Sequence, residues 1–97
     1  MLTQHDNEAR CMLEQVADRA YAEVDKSRVY RWYGVTRLGK ASWRDLNTKW
    51  VELNENESDE NKRLFVAETQ GTFVFINGRG LEPTKEAWFQ PVENRTE

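Results

Sequence analysis

The sequence predicts a single α+β domain over residues 1–97, with helices packed on one face of a mainly antiparallel sheet. Three observations indicate this class. The length of 97 residues suits one domain. Apolar residues recur at helical spacing near the N-terminus, and two later apolar runs are joined by a Gln-Gly pair that is typical of a hairpin. The predicted order is helix, strand, helix, strand, strand, followed by a short C-terminal helical turn or edge strand.

The first element is a helix predicted over residues 4–25. Its apolar residues are three or four positions apart, as on one side of a helix. They are Ala9, Met12, Leu13, Val16, Ala20 and Val24. Thr3 followed by Asp6 has the spacing of a capping box. This apolar stripe is broader than packing on a small sheet requires. Its remaining part would be buried by a second copy of the chain, which favours a homodimer.

Residues 28–38 are predicted to form a strand, because aromatic and β-branched residues dominate this run. In a strand, Tyr30 and Trp32 would lie on the core face. Arg31 and Arg37 would then lie on the opposite, partly wet face. A helix over the same residues is the alternative.

An amphipathic helix is predicted over residues 43–53. Ser42 is a favourable N-cap, with Asp45 three residues later. The apolar residues form one stripe of a helix. They are Trp43, Leu46, Trp50 and Leu53. The rival interpretation is a strand over residues 49–53.

The second half of the chain predicts a β-hairpin. Residues 62–69 and 72–77 are two strands rich in apolar residues, and Gln70-Gly71 gives a two-residue connection between them. The preceding run, 54–61, is acidic and contains no apolar residue. This composition indicates a flexible, solvated loop.

The C-terminal residues allow two interpretations. Pro83 is favourable at a helix start, so residues 84–89 would form a final helical turn. Alternatively, residues 88–92 pair as an edge strand. Residues 93–97 are predicted to be a disordered tail.

Composition excludes several classes of protein. No apolar run approaches the ~18 residues needed to cross a membrane. The N-terminus has neither a basic nor an apolar segment, so no secretory signal is expected. Cys11 is the only cysteine, and a chain without an internal disulfide suits a reducing compartment. We therefore expect a cytoplasmic protein with no membrane partner.

Residues that could perform catalysis are scarce. His5 is the only histidine, and Cys11 is predicted to lie on a different face of the same helix. A zinc cluster or a nucleophile–base pair needs partners that the sequence lacks. Cys11 is instead expected to be a small buried hydrophobic residue. The sequence thus predicts a protein that is not an enzyme and has no metal or cofactor.

Charge is segregated along the chain, although the net charge is only −3. Residues 28–50 hold six basic residues and one acidic residue, a charge of +5, whereas residues 1–27 carry −3 and residues 51–97 carry −5. The basic segment is also rich in Trp and Tyr, a combination found at protein-binding hot spots and on nucleic-acid-binding surfaces. The residues predicted to bind a partner are Arg31, Trp32, Tyr33, Arg37, Lys40, Arg44, Asn47 and Lys49.

The first functional hypothesis is a non-catalytic protein-binding module, a small regulator or inhibitor of a larger macromolecular assembly. Its basic and aromatic residues would form the docking surface, with Trp32 or Tyr33 as the anchor. Segregated charge would orient the docking.

The alternative hypothesis is a nucleic-acid-binding domain. The order of elements is similar to that of the winged-helix architecture, which runs helix, strand, helix pair and hairpin wing, with a recognition helix in the major groove. The resemblance is one of order and not of sequence motif. It implies that the helix over 43–53 reads the nucleic acid through Arg44, Asn47 and Lys49, and that the hairpin over 62–77 is the wing.

Overall fold

Within the residues that the structure describes, three helices lie against one face of a four-stranded antiparallel sheet. This computed structural model describes residues 2–54, 63–78 and 89–95. The helices are α1 (Thr3–Arg19), α2 (Lys26–Tyr33) and α3 (Lys40–Leu53). The strands are β1 (Tyr21–Asp25), β2 (Leu64–Glu68), β3 (Thr72–Asn77) and β4 (Phe89–Pro91), in the sheet order β1-β3-β2-β4. The predicted α+β class is confirmed.

Helix α1 is shorter than predicted, and the last residues of the predicted helix form β1. The helix ends at Ala20, whose φ of 77° is left-handed and whose N–H donates to the Val16 carbonyl. Ala22 and Val24 then alternate with exposed residues, and all of β1 pairs with β3. The helix prediction over residues 20–25 is wrong. Ala20 and Val24 have helical spacing, so the local sequence suits a helix as well as a strand, and only the pairing of β1 with the distant strand β3 decides between the two structures.

The predicted capping box at the start of α1 is also wrong. Thr3 is the first helical residue, and Leu2 is the N-cap without a side-chain cap bond. Asp6 is still in the first turn, where a carboxylate is favoured by the helix dipole.

The segment predicted as a strand over 28–38 is helix α2 followed by a loop. Helix α2 buries Val29 and Trp32, whose spacing of three residues gives the helix one apolar side. Gly34 ends the helix with a φ of 64°, and the N–H groups of Gly34 and Val35 donate to carbonyls of the last turn. The strand prediction is wrong because strand propensity depends on pairing with a neighbour, and these residues have helical packing partners instead.

Helix α3 confirms the predicted second helix but begins three residues earlier. Gly39 is the N-cap and no side chain caps the helix, so the prediction of Ser42 as the N-cap is wrong. Three residues of the predicted apolar stripe are buried: Trp43, Leu46 and Trp50. Leu53 is 41% exposed. The rival strand over 49–53 is wrong, because these residues continue the helix.

The predicted hairpin is confirmed. Strands β2 and β3 pair antiparallel, and the turn at Gln70-Gly71 is closed by a bond from the Thr69 N–H to the Thr72 carbonyl of 2.9 Å. This element is specified locally, since its turn residues and its strand residues agree.

The helix-facing side of the sheet holds the hydrophobic core. Val24 lies opposite Phe73, and Val66 lies opposite Phe75, so apolar side chains of neighbouring strands are adjacent. The ring of Trp43 from α3 packs edge-on against Phe73, with centroids 5.3 Å apart. Burial of such large side chains supplies most of the stabilisation in a small domain.

The C-terminal residues form the edge strand β4, which agrees with one of the two interpretations of the sequence. Strand β4 pairs antiparallel with β2, and the Phe89 ring packs edge-on against Phe65 at 5.4 Å on the face opposite the helices. A 3₁₀ turn, Val92–Asn94, follows and buries Val92 in the core. Residues 84–88 of the alternative helical turn lie outside the described residues.

Two other predictions fall partly outside the described residues. Of the acidic loop predicted over 54–61, only Asn54 is described. Of the tail predicted over 93–97, residues 93–95 are described. There Glu93 pairs with Arg63 at 2.6 Å, and Arg95 pairs with Glu68 at 2.6 Å.

Candidate functional site

Helices α1, α2 and α3 are joined by a cluster of polar side chains around Lys49. Lys49 is only 7% exposed. Its Nζ lies 2.9 Å from Asp6 Oδ1 and 2.9 Å from Asp45 Oδ2. The Tyr33 hydroxyl donates to the same Asp45 oxygen at 2.8 Å. The buried ammonium is tolerated because two carboxylates compensate its charge.

This cluster changes the ionisation of its members. Burial acts to lower the pKa of Lys49, but hydrogen bonds to Asp45 and then Asp6 outweigh burial and raise it. The pKa of Asp6 is lowered, first by its bond from Lys49 and then by its bond from Arg10. Burial and then the Asp45 bond raise the pKa of Tyr33 well above its ordinary value. Lys49 is therefore held within the packing of the helices, whereas Tyr33 is half-buried, and the prediction that Tyr33 binds a partner stays a prediction.

Trp32 is also a core residue. It is 2% exposed, and its Nε1–H donates to Glu8 Oε2 at 2.8 Å. A side chain buried between α1 and α2 cannot insert into a partner, so the prediction of Trp32 as an exposed anchor is corrected.

The remaining predicted residues lie at or near the surface of the segment formed by α2, the loop 34–39 and α3. Arg31, Arg37, Lys40 and Arg44 are exposed, and Asn47 is half-buried. The structure adds Arg28, which the sequence analysis did not single out and which is exposed on α2. Arg28 lies three residues before Arg31, so a helix prediction for this segment would have placed the two arginines on the same face.

The exposed cations of α2 and α3 differ from most other basic residues that the structure describes. Among the described residues, no ion pair is made by Arg28, Arg31, Lys40 or Arg44. Ion pairs are made by Arg10, Lys26, Lys49, Arg63 and Arg95. Arg19, at the end of α1, is exposed and likewise forms no ion pair with a described residue. Unpaired positive charge is thus concentrated on one helix–loop–helix segment.

Helix α3 presents a continuous outer stripe. Lys40 and Arg44 are exposed in its first half, and Thr48 and Val51 continue the stripe at helical spacing. Asn47 lies beside them. The acidic residues of α3 are directed elsewhere, because Asp45 bonds Lys49 and Glu52 pairs with Arg10 at 3.1 Å. The outer stripe is therefore basic and polar at its N-terminal end and apolar near Val51.

A cavity of about 230 Å³ opens between α2, the following loop, α3 and the sheet. Its lining residues are Tyr30, Arg37, Leu38, Trp43, Glu68, Phe73 and Arg95. Arg95 and Glu68 could not be assigned to this place from the sequence, since Arg95 falls in the predicted tail and Glu68 reads only as the end of a strand.

No group of three or more metal-ligating side chains occurs among the residues that the structure describes. Cys11 is exposed on α1, so its predicted burial is wrong. Helical spacing explains the error, because Ala9, Met12 and Leu13 already fill the buried side of α1. Among the described residues, no helix has the length and apolar content to cross a membrane.

Comparison with models of known protein families, with curated proteins and with solved structures gave no match to this chain.

Proposed function

We propose that this chain is a DNA-binding domain that uses α3 as its reading helix and the exposed cations of α2 and α3 to hold the phosphate backbone. The observation that carries the proposal is the concentration of unpaired, exposed basic residues on one helix–loop–helix segment.

The element order supports this choice over the alternative of a protein-binding module. The order helix, strand, helix, helix and hairpin is similar to the winged-helix order. Because residues 26–33 are helical, α2 supplies the first member of the helix pair, which the predicted strand would not have supplied. Strand β1 pairs with β3, and the Lys26 N–H donates to the Gly71 carbonyl at 3.0 Å. The hairpin turn therefore lies at the start of α2.

The dimensions and chemistry of α3 suit the major groove. A helix of 14 residues is about 21 Å long, and an α-helix fits the major groove of B-DNA. Arg44 is long enough to reach a guanine edge or a phosphate, and Asn47 carries the amide that pairs with adenine. Lys40 and Arg28 would contact phosphates, which position the helix without reading sequence.

A protein partner is the second candidate, and one observation favours it. Val51 is 55% exposed and lies on the same outer stripe as Arg44. A partner protein could bury it. The anchor residues that this hypothesis needs have lost support, however, because Trp32 is buried and the Tyr33 hydroxyl is bonded to Asp45.

The test measures fluorescence anisotropy of a labelled, mixed-sequence 30-bp duplex, used as an arbitrary probe at about 50 mM salt and then at rising salt. We expect the logarithm of the binding constant to fall linearly with the logarithm of the salt concentration, because phosphate contacts release counterions. Each of Arg44→Gln and Lys40→Gln should weaken binding and reduce the salt slope by about one.

The matched control is Arg19→Gln, which removes an exposed arginine from α1 and should leave binding and slope unchanged. Absence of any anisotropy change at about 50 mM salt would refute the proposal. Equal losses from Arg19→Gln and Arg44→Gln would refute the assignment to α3, because they would indicate binding through overall charge.

A further inference from the structure

We propose that the C-terminal half of α3 reads thymine, with Val51 and Thr48 in contact with the 5-methyl group of a thymine base in the major groove. The inference rests on the proposed function and adds to it the base pair that this part of α3 prefers. It concerns the outer stripe of α3 beyond Arg44, where exposed side chains continue but charged ones do not.

Val51 lies in line with Arg44 on the outside of α3. The two residues are seven positions apart, which is about two turns of a helix, and Thr48 lies between them. Val51 is 55% exposed. A single exposed aliphatic side chain is common in folded proteins, and what distinguishes Val51 is its position on the same stripe as the exposed cations. A ligand held by those cations would therefore also meet Val51.

Thr48 adds a second methyl group to this end of the stripe. Its hydroxyl donates to the Arg44 carbonyl at 2.9 Å, so the hydroxyl hydrogen is used within the helix. Thr48 is itself exposed, and its methyl group is the part left to make contacts outside the helix. The outer stripe thus changes from cationic at Lys40 and Arg44 to methyl-bearing at Thr48 and Val51.

The major groove offers a matching apolar group. Of the four standard bases, thymine alone presents a methyl group there, and aliphatic side chains contact it. Arg44 and Val51 are about 10 Å apart along the helix axis at 1.5 Å per residue, which is about three base-pair steps of 3.4 Å. When Arg44 contacts a guanine edge or a phosphate, Val51 therefore lies over a different base pair, and an A·T pair at that place would bury its methyl groups.

The test compares two labelled duplexes of about 30 base pairs at about 50 mM salt. One is built from AAT repeats, so that every base pair holds a thymine. In the other, uracil replaces every thymine, which removes the methyl groups and keeps the base pairing. Fluorescence anisotropy should show that the unsubstituted chain binds the thymine duplex about fourfold more tightly, as expected for the burial of one methyl group.

Substitutions at the two proposed contacts should change this ratio. Val51→Ser should bind both duplexes equally, because the aliphatic surface is lost. Val51 is exposed, so this variant should fold as the unsubstituted chain does, which circular dichroism checks. Thr48→Ser removes one methyl group and keeps the hydroxyl, and it should reduce the preference for thymine without abolishing it.

Two further variants are controls. Val35→Ala shortens an exposed valine in the loop 34–39, outside α3, and should keep the fourfold preference. Arg44→Gln should weaken binding to both duplexes by the same factor and so leave the ratio unchanged, because its loss affects charge and not methyl contact.

Equal binding of the two duplexes by the unsubstituted chain would overturn this inference and leave the proposed DNA binding intact. A preference that Val51→Ser keeps in full would also overturn it, since the duplexes would then be distinguished by something other than contact with Val51. Absence of binding to either duplex would overturn this inference together with the proposed function.

Discussion

Gly78→Ala should destabilise the fold strongly, although it adds a single methyl group. Gly78 is buried after β3, and its N–H donates to the Arg63 carbonyl at 2.7 Å. A Cβ at this position would overlap the Arg63 carbonyl oxygen and the ring of Phe65. The Phe65 ring is itself buried against Phe89, so it has little room to withdraw.

The size of the effect follows from these two clashes. Forcing an extra methyl group into a packed site costs about 1–3 kcal/mol. Moving the Arg63 carbonyl away would also weaken the hydrogen bond from Gly78, which is worth about 1 kcal/mol. We therefore expect a loss of about 2–4 kcal/mol in the free energy of unfolding. For a chain of this length, each kcal/mol lowers the melting temperature by about 4–8 °C.

Gly71→Ala is the matched control. Gly71 lies in the hairpin turn, and a Cβ there would meet no heavy atom within 4 Å. Its replacement should change stability little, or raise it by up to about 1 kcal/mol by restricting the unfolded chain. Urea unfolding of both variants, followed by circular dichroism, measures the difference. If Gly78→Ala is no less stable than Gly71→Ala, the close approach of Gly78 to Phe65 and Arg63 is wrong.

Two further predictions concern the cluster around Lys49. Because the pKa of Tyr33 is raised, its contribution to stability is present below about pH 10 and is lost as pH rises further. Tyr33 should therefore stay protonated in the folded chain, so the folded chain and Tyr33→Phe should show equal phenolate absorbance up to about pH 11. An extra phenolate in the unsubstituted chain near pH 10 would contradict this. The pKa of Asp6 is lowered, so the contribution of Asp6 to stability is present above about pH 4 and is lost as pH falls through the lowered value. Lys49→Met removes the largest cause of that shift, so an NMR titration should show the Asp6 pKa rising toward its ordinary value; an unchanged titration would contradict the ion pair.

The parts of the fold that the sequence predicted correctly are those decided by local chemistry. The hairpin follows from its Gln70-Gly71 turn between two apolar runs. Helix α3 follows from the spacing of Trp43, Leu46 and Trp50. The errors occur where two local interpretations were equally good and a distant contact decided between them. Residues 21–25 form a strand because β3 pairs with them along their whole length.

The candidate site stays a prediction, but the structure shows which side chains of its basic segment lie at the surface. Basic composition identifies residues 28–50 without any structure. Which members are exposed depends on the fold, because a helix and a strand direct the same residues differently. Lys49 illustrates the limit: its burial requires Asp6, which is 43 positions away in sequence and is brought near only by the packing of α1 on α3.

The negative net charge of the chain does not argue against a DNA-binding α3. At physiological ionic strength the Debye length is about 8 Å, so an approaching phosphate responds mainly to the charges near it. The two carboxylates of α3 itself are both paired with cations: Asp45 with Lys49, and Glu52 with Arg10. Arg44 and Lys40 have no such described partner, and their positive field therefore extends into solvent. Under the proposed DNA binding, the excess of acidic residues elsewhere in the chain would oppose non-specific attachment through other faces and so sharpen the orientation in which α3 meets a duplex.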